Sequence, residues 1–128
     1  MITTAVFQTE TIESLRHQLG DAGGNLLDEL IELYIEQAGD LVGQIEAAAA
    51  ALDLSHLRAL AHKLKGSTAT MGGGRLASAC ERIGVDQPGA SVARGAAQEV
   101  RAEYESLVQE LGKYRLSLAE QSGQPRSG

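Results

Sequence analysis

The stretch AHKLKGSTATMGGG, Ala61 to Gly74, places a histidine, two lysines and a glycine inside a pattern that otherwise reads as one helix. Leu57, Leu60, Ala61, Leu64, Thr68 and Met71 recur at helical spacing and define an apolar stripe centred on Leu57 and Leu64. At about 100° per residue, His62 points roughly 140° away from that stripe. His62 is therefore expected to face water or a partner, outside the core.

The residues around it on the helix wheel are small: Ser55, Ala59, Gly66 and Ala69. A solvent-facing helix surface usually carries long charged side chains, and glycine within a helix costs about 1 kcal/mol relative to alanine. The pattern reads as a surface cleared around one imidazole so that another body can come close. Lys65, three residues on, and Arg58, four residues back, flank the clearing and can reach whatever the imidazole carries. Lys63 lies further round. An imidazole in water is largely neutral and nucleophilic at neutral pH. A phosphoryl group placed on it would meet two cations able to form charge-assisted hydrogen bonds. A lone surface histidine, a pair of solvated lysines or a single packed glycine would each mean little. Their centring on one side chain favours a histidine that carries phosphate reversibly.

Outward from this stretch, the chain reads as helices throughout. Ile12, Leu15 and Leu19 give a short first helix, Thr11 to Leu19, with Thr11 and Ser14 near its start as capping residues. GDAGG, Gly20 to Gly24, ends it, and Asn25 is placed to cap a long second helix. The stripe of that helix is Leu27, Leu30, Ile31, Tyr34, Ala38, Leu41, Ile45, Ala48 and Leu52, with Gly39 and Gly43 as weak points. Asp53 is the expected N-cap of the histidine helix, and Gly72 to Gly74 its stop. Leu76, Cys80 and Ile83 mark a fourth helix, and GVDQPGA, Gly84 to Ala90, a loop. Ala93, Ala97, Val100, Tyr104, Leu107, Leu111, Tyr114 and Leu118 alternate steps of four and three, the seam of helices packed nearly antiparallel. The expected fold is all-α: an antiparallel four-helix bundle with a short extra N-terminal helix. Residues 1–10 form a lead, 11–118 the domain, and 119–128 a polar, disordered tail.

Composition agrees with one helical domain of 128 residues: 43% hydrophobic, one Phe, three Tyr, no Trp and two Pro. No run approaches a membrane span. MITTAVFQTE lacks a basic region followed by an apolar one, so no signal peptide is expected. The single cysteine, Cys80, allows no internal disulfide and fits the cytoplasm. A net charge of -6 argues against nucleic acid as the main partner.

The run AHKLKGSTATMG resembles the signature of histidine-containing phosphotransfer domains of two-component phosphorelays, and the helix layout extends that resemblance over roughly Asn25 to Leu118. Gly72, Leu76 and Cys80 also match the pattern that commonly follows. The resemblance implies that His62 accepts the phosphoryl group, through Nε2. It implies that Lys65 stabilises the phosphohistidine and Gly66 leaves room for the docking partner. Arg58, Ala59, Lys63 and Ala69 border the implied docking face. The glycine run Gly72 to Gly74, flexible for a helix start, and Gly84, where an acidic residue is common, depart from the pattern.

Such a chain is a phosphocarrier and not an enzyme with its own kinase activity. No G-x-x-x-x-G-K-[ST] loop is present, and no acidic cluster stands beside His62 to hold Mg²⁺. The implied partners are receiver domains of response regulators and hybrid sensor kinases, which supply the aspartyl phosphate and the Mg²⁺; this chain binds no cofactor of its own. A monomer is expected. The main alternative is a helical interaction module that binds a signalling partner without phosphorylation. A metal-binding bundle is disfavoured, since His56 and His62 point about 120° apart on one helix and Cys80 lies on a buried face.

Overall fold

The computed structural model describes residues 6–20, 23–85 and 90–121. Five helices account for almost all of them: α1 (Thr9–Gln18), α2 (Gly23–Ala50), α3 (Leu54–Thr70), α4 (Gly74–Val85) and α5 (Ala90–Gln121). No strand occurs among the described residues. Helices α2 to α5 close a ring in which each packs on the next and α5 returns to α2, while α1 lies against α2 and α3. This is the all-α bundle that the periodicity predicts. The short turns α2–α3 and α3–α4 make those pairs antiparallel neighbours.

The apolar stripes meet in one core. Leu27, Ile31, Tyr34, Ala38 and Ile45 of α2 face Leu57, Leu64 and Thr68 of α3, Leu76, Cys80 and Ile83 of α4, and Val100, Leu107 and Leu111 of α5, all buried. Burial of this aliphatic surface is the main force holding the helices, at roughly 25 cal/mol per Å². Gly39 does not break α2: a Cβ there would lie 2.8 Å from the Tyr104 hydroxyl, so the glycine admits Tyr104, which donates to the Ile35 carbonyl at 2.7 Å. On the outside of the α2–α5 seam, Arg101 forms a bidentate pair with Glu46 at 2.6 and 3.1 Å. Arg115 does the same with Asp28 and adds Glu32 at 3.3 Å.

Helix boundaries depart from the sequence expectation where tertiary contacts override local caps. Helix α1 starts at Thr9 behind Gln8, whose side chain makes no capping bond, so Thr11 and Ser14 lie inside the helix. The Gln8 carbonyl accepts from Thr11 N at 3.1 Å, and the Gln8 amide donates to the Gly72 carbonyl at 2.6 Å. The start of α1 is thus fixed by a strap to the end of the histidine helix. Asn25 is the third residue of α2 and not its cap, and Gly23 and Gly24 are helical; residues 21 and 22 of the expected GDAGG breaker lie outside the described residues. Gly20, at φ +73°, is the residue that turns the chain out of α1. Helix α4 continues through Gly84 to Val85, so the expected loop is shorter, and its residues 86–89 lie outside the described residues. Helix α5 continues through Ala119 and Glu120 to Gln121, past the expected start of a disordered tail; residues 122–128 and 1–5 lie outside the described residues.

Helices α2 and α3 end in the same six-residue cap. At the end of α2, Asp53 N donates to Ala48 O at 3.0 Å and Leu52 N to Ala49 O at 3.2 Å; at the end of α3, Gly73 N donates to Thr68 O at 3.0 Å and Gly72 N to Ala69 O at 3.1 Å. Each is a Schellman cap with a left-handed residue at its penultimate position. That residue is Gly72 at φ +79° in one and Leu52 at φ +55° in the other. The glycine run is therefore not loose. A Cβ on Gly72 would stand 2.6 Å from the Gln8 carbonyl, and one on Gly73 2.6 Å from Leu107 and Thr68 side chains.

Candidate functional site

Helix α3 begins as its sequence predicts. Asp53 caps it, its carboxylate accepting from His56 N at 3.2 Å. Leu57, Leu60, Ala61, Leu64 and Thr68 then turn inward and are buried. With that face fixed by the core, His62 stands on the opposite face and is exposed. The wheel neighbours Ser55, Ala59, Gly66 and Ala69 are exposed with it. A Cβ added at Gly66 would meet nothing within 4 Å. Among the described residues this glycine serves no packing; the space above it is open to an approaching body.

Two different edges border His62. Toward α4 lie Arg58 and Lys65, both half-buried. Lys65 Nζ sits 3.7 Å from Glu81 Oε2 on α4. The carboxylate thus draws the lysine head toward α4, a partner that spacing along α3 alone did not reveal. Toward α2, exposed Lys63 and Ser67 join Gln37, Asp40, Leu41 and Gln44 in lining a groove of about 340 Å³. The sequence marks Leu41 only as a core position and does not single out Gln37, Asp40 or Gln44. Helix periodicity could have found them only once the α2–α3 register was known.

The other two histidines are placed differently. His56 is tied to the cap, Nδ1 lying 3.9 Å from Asp53 Oδ2. His17 is in the last turn of α1. Beneath α3, Thr68 Oγ1 and the Tyr34 hydroxyl share a buried hydrogen bond of 2.7 Å. Burial raises the Tyr34 phenol above its ordinary range, against the pull of that bond. Burial also pushes the Cys80 thiol up to about 12, with Lys65 acting in the other direction, so Cys80 is an inert core residue. Among the described residues, no group of three or more His, Cys, Asp or Glu side chains converges as metal ligands would. No helix among them is long and apolar enough to cross a membrane.

His62 is thus an exposed imidazole on the outer face of a helical bundle, with Arg58 and Lys65 on one neighbouring edge of the same helix. The chain belongs to the Hpt domain family, whose model matches residues 29–112. Its fold is similar to the crystal structure of histidine-containing phosphotransfer protein B (HptB) from Pseudomonas aeruginosa PAO1. The TM-score is 0.75 at 19% sequence identity, over 90% of this chain and 98% of that one. No curated protein sequence matches the chain. The protein thus takes a histidine phosphotransfer role in two-component signalling, as a phosphocarrier and not an enzyme. Proteins of this kind interact with receiver domains of phosphorelay partners.

Proposed function

We propose that His62 is the histidine that carries the phosphoryl group, receiving it from the aspartyl phosphate of one receiver domain and passing it to the aspartate of another. The observation that carries this reading is the open ring around His62, above all Gly66, whose missing side chain leaves space that none of the described residues uses. His62 Nε2 attacks the phosphorus in line. The P–N bond forms as the acyl P–O bond breaks, and the receiver's carboxylate leaves. Transfer onward reverses these events at a second receiver. The receiver brings the Mg²⁺, and this chain supplies a positioned nucleophile and an approachable face.

Lys65 stabilises the phosphohistidine, Gly66 gives clearance, and Arg58, Ala59, Lys63 and Ala69 border the docking face. The protein works as a cytoplasmic monomer, engaging neither nucleic acid nor membrane. The test is to mix the protein with a phosphorylated receiver and Mg²⁺ and to map acid-labile, base-stable phosphate by gentle mass spectrometry. Phosphate on His62, absent from His62→Gln, is expected. Receiver binding without any phosphate on the wild-type chain would instead favour an interaction module that works unphosphorylated.

A further inference from the structure

Lys65 has two possible partners. It lies one turn beyond His62 on α3, where side chains three apart are neighbours. Yet its ammonium stands 3.7 Å from the Glu81 carboxylate on α4, with both side chains open to solvent, 41% and 61% exposed. An exposed pair of this kind is weak and exchangeable. Arg58, on the same edge, has no ion pair among the described residues.

We propose that Glu81 is a positioning residue that competes with phosphohistidine for Lys65 and so sets how readily the phosphoryl group is handed on. The inference rests on His62 being the carrier. Before phosphorylation the ammonium is held by Glu81. Afterwards it must leave that carboxylate to reach the phosphoryl oxygens, and the lost pair subtracts from the stability of the phosphorylated form. Glu81 thereby keeps the relay from becoming a sink. Every phosphoryl group on His62 is bound less tightly than Lys65 alone would bind it. No new covalent step is involved; the lysine changes partner.

The experiment measures the equilibrium distribution of phosphoryl groups between a receiver and the protein, by radiolabel, for wild type, Glu81→Gln, Glu81→Asp and Lys65→Gln. Glu81→Gln is expected to shift the equilibrium toward His62 by about two- to five-fold, the worth of an exposed ion pair. Glu81→Asp should stay closer to wild type, and the shift should shrink in 1 M salt. Glu110→Gln, which removes the same charge from a pair with Lys113 within α5, should leave the equilibrium unchanged. In a Lys65→Gln background the Glu81→Gln shift should vanish. A shift that persists there in full overturns the competition for Lys65 and makes Glu81 a direct repulsive charge. A labelled wild type with an unaltered Glu81→Gln equilibrium overturns the inference and leaves His62 as the carrier. A wild type that never labels overturns both.

Discussion

Tyr34 and Thr68 meet inside the bundle through a hydroxyl–hydroxyl hydrogen bond of 2.7 Å that ties α2 to α3. Thr68 is fully buried and lies between the outward positions Gly66 and Ala69. The bond therefore holds the rotation of α3 that turns His62 outward. Thr68→Val leaves the Tyr34 hydroxyl buried without its partner and should cost about 1–3 kcal/mol. Tyr34→Phe should cost a similar amount, and the double variant less than the sum, since neither group is then orphaned. Urea denaturation of the four proteins measures the coupling.

The two matching caps invite opposite substitutions. Leu52 adopts φ +55° although 46% exposed, so its left-handed strain is poorly offset by burial. Leu52→Gly should stabilise the fold by about 0.5–1 kcal/mol. Gly72→Ala should destabilise it by about 1–3 kcal/mol, because it adds the same strain and drives a methyl into the Gln8 carbonyl. Thermal melts of both variants check the pair. A loss on Leu52→Gly would show that the side chain packs more than its exposure suggests.

The clearance role proposed for Gly66 should separate folding from function. Gly66→Ala should raise stability by up to about 1 kcal/mol, since the helix gains and no neighbour is displaced. Gly66→Gln should fold at least as well as wild type yet slow phosphoryl transfer, as a long side chain fills the space a receiver needs. Stopped transfer assays beside melting curves read both quantities. Unchanged transfer in Gly66→Gln would remove the steric role.

The Cys80 thiol, pushed up to about 12 by burial, is protonated in the folded state at pH values where an unfolded cysteine ionises. The folded chain then binds more protons than the unfolded one. Stability attributable to this group is complete below the unfolded value of about 8.5 and declines as pH rises above it toward 12. Cys80→Ala should flatten that alkaline decline, seen in denaturation midpoints between pH 8 and 11. Native protein at pH 8 should resist thiol reagents until denaturant is added.

At the acid end the sign reverses. The guanidinium of Arg115 holds the Asp28 carboxyl below its ordinary range, and Arg101 does the same to Glu46. Their contribution is present above the unfolded values near 4 and is lost as pH falls through the lower folded values. Both pairs are substantially exposed, so each is worth about a few tenths of a kcal/mol after screening. Arg115→Gln and Arg101→Gln together should make the stability curve shallower below pH 5. An unaltered slope would assign acid unfolding to other carboxylates.

The core was legible in the sequence because aliphatic spacing states which face of each helix turns inward. Leu57, Leu64, Leu107 and Leu111 lie where their periodicity puts them, and His62 faces outward for the same reason. What spacing cannot carry is a relation between helices. The Gln8–Gly72 strap joins residues far apart in the chain and decides the start of α1 in place of Thr11. Leu52 takes a conformation that its residue type disfavours, imposed by the two cap bonds around it. Glu81 acquires its relation to Lys65 only through the packing of α4 on α3.

The carboxylate–guanidinium pairs between helices join α5 to α2, through Arg101 and Arg115, and α5 to α4, through Arg75 and Arg82, whereas the surface around His62 belongs to the outer side of α3. Exposed positions such as Ala59 and Ala69 can be exchanged with little effect on folding. On the docking face proposed for His62, the choice of partner can therefore be redrawn without disturbing what keeps the helices together. In that proposal, recognition and architecture are written in separate residues of one small domain, and one can drift while the other stands still.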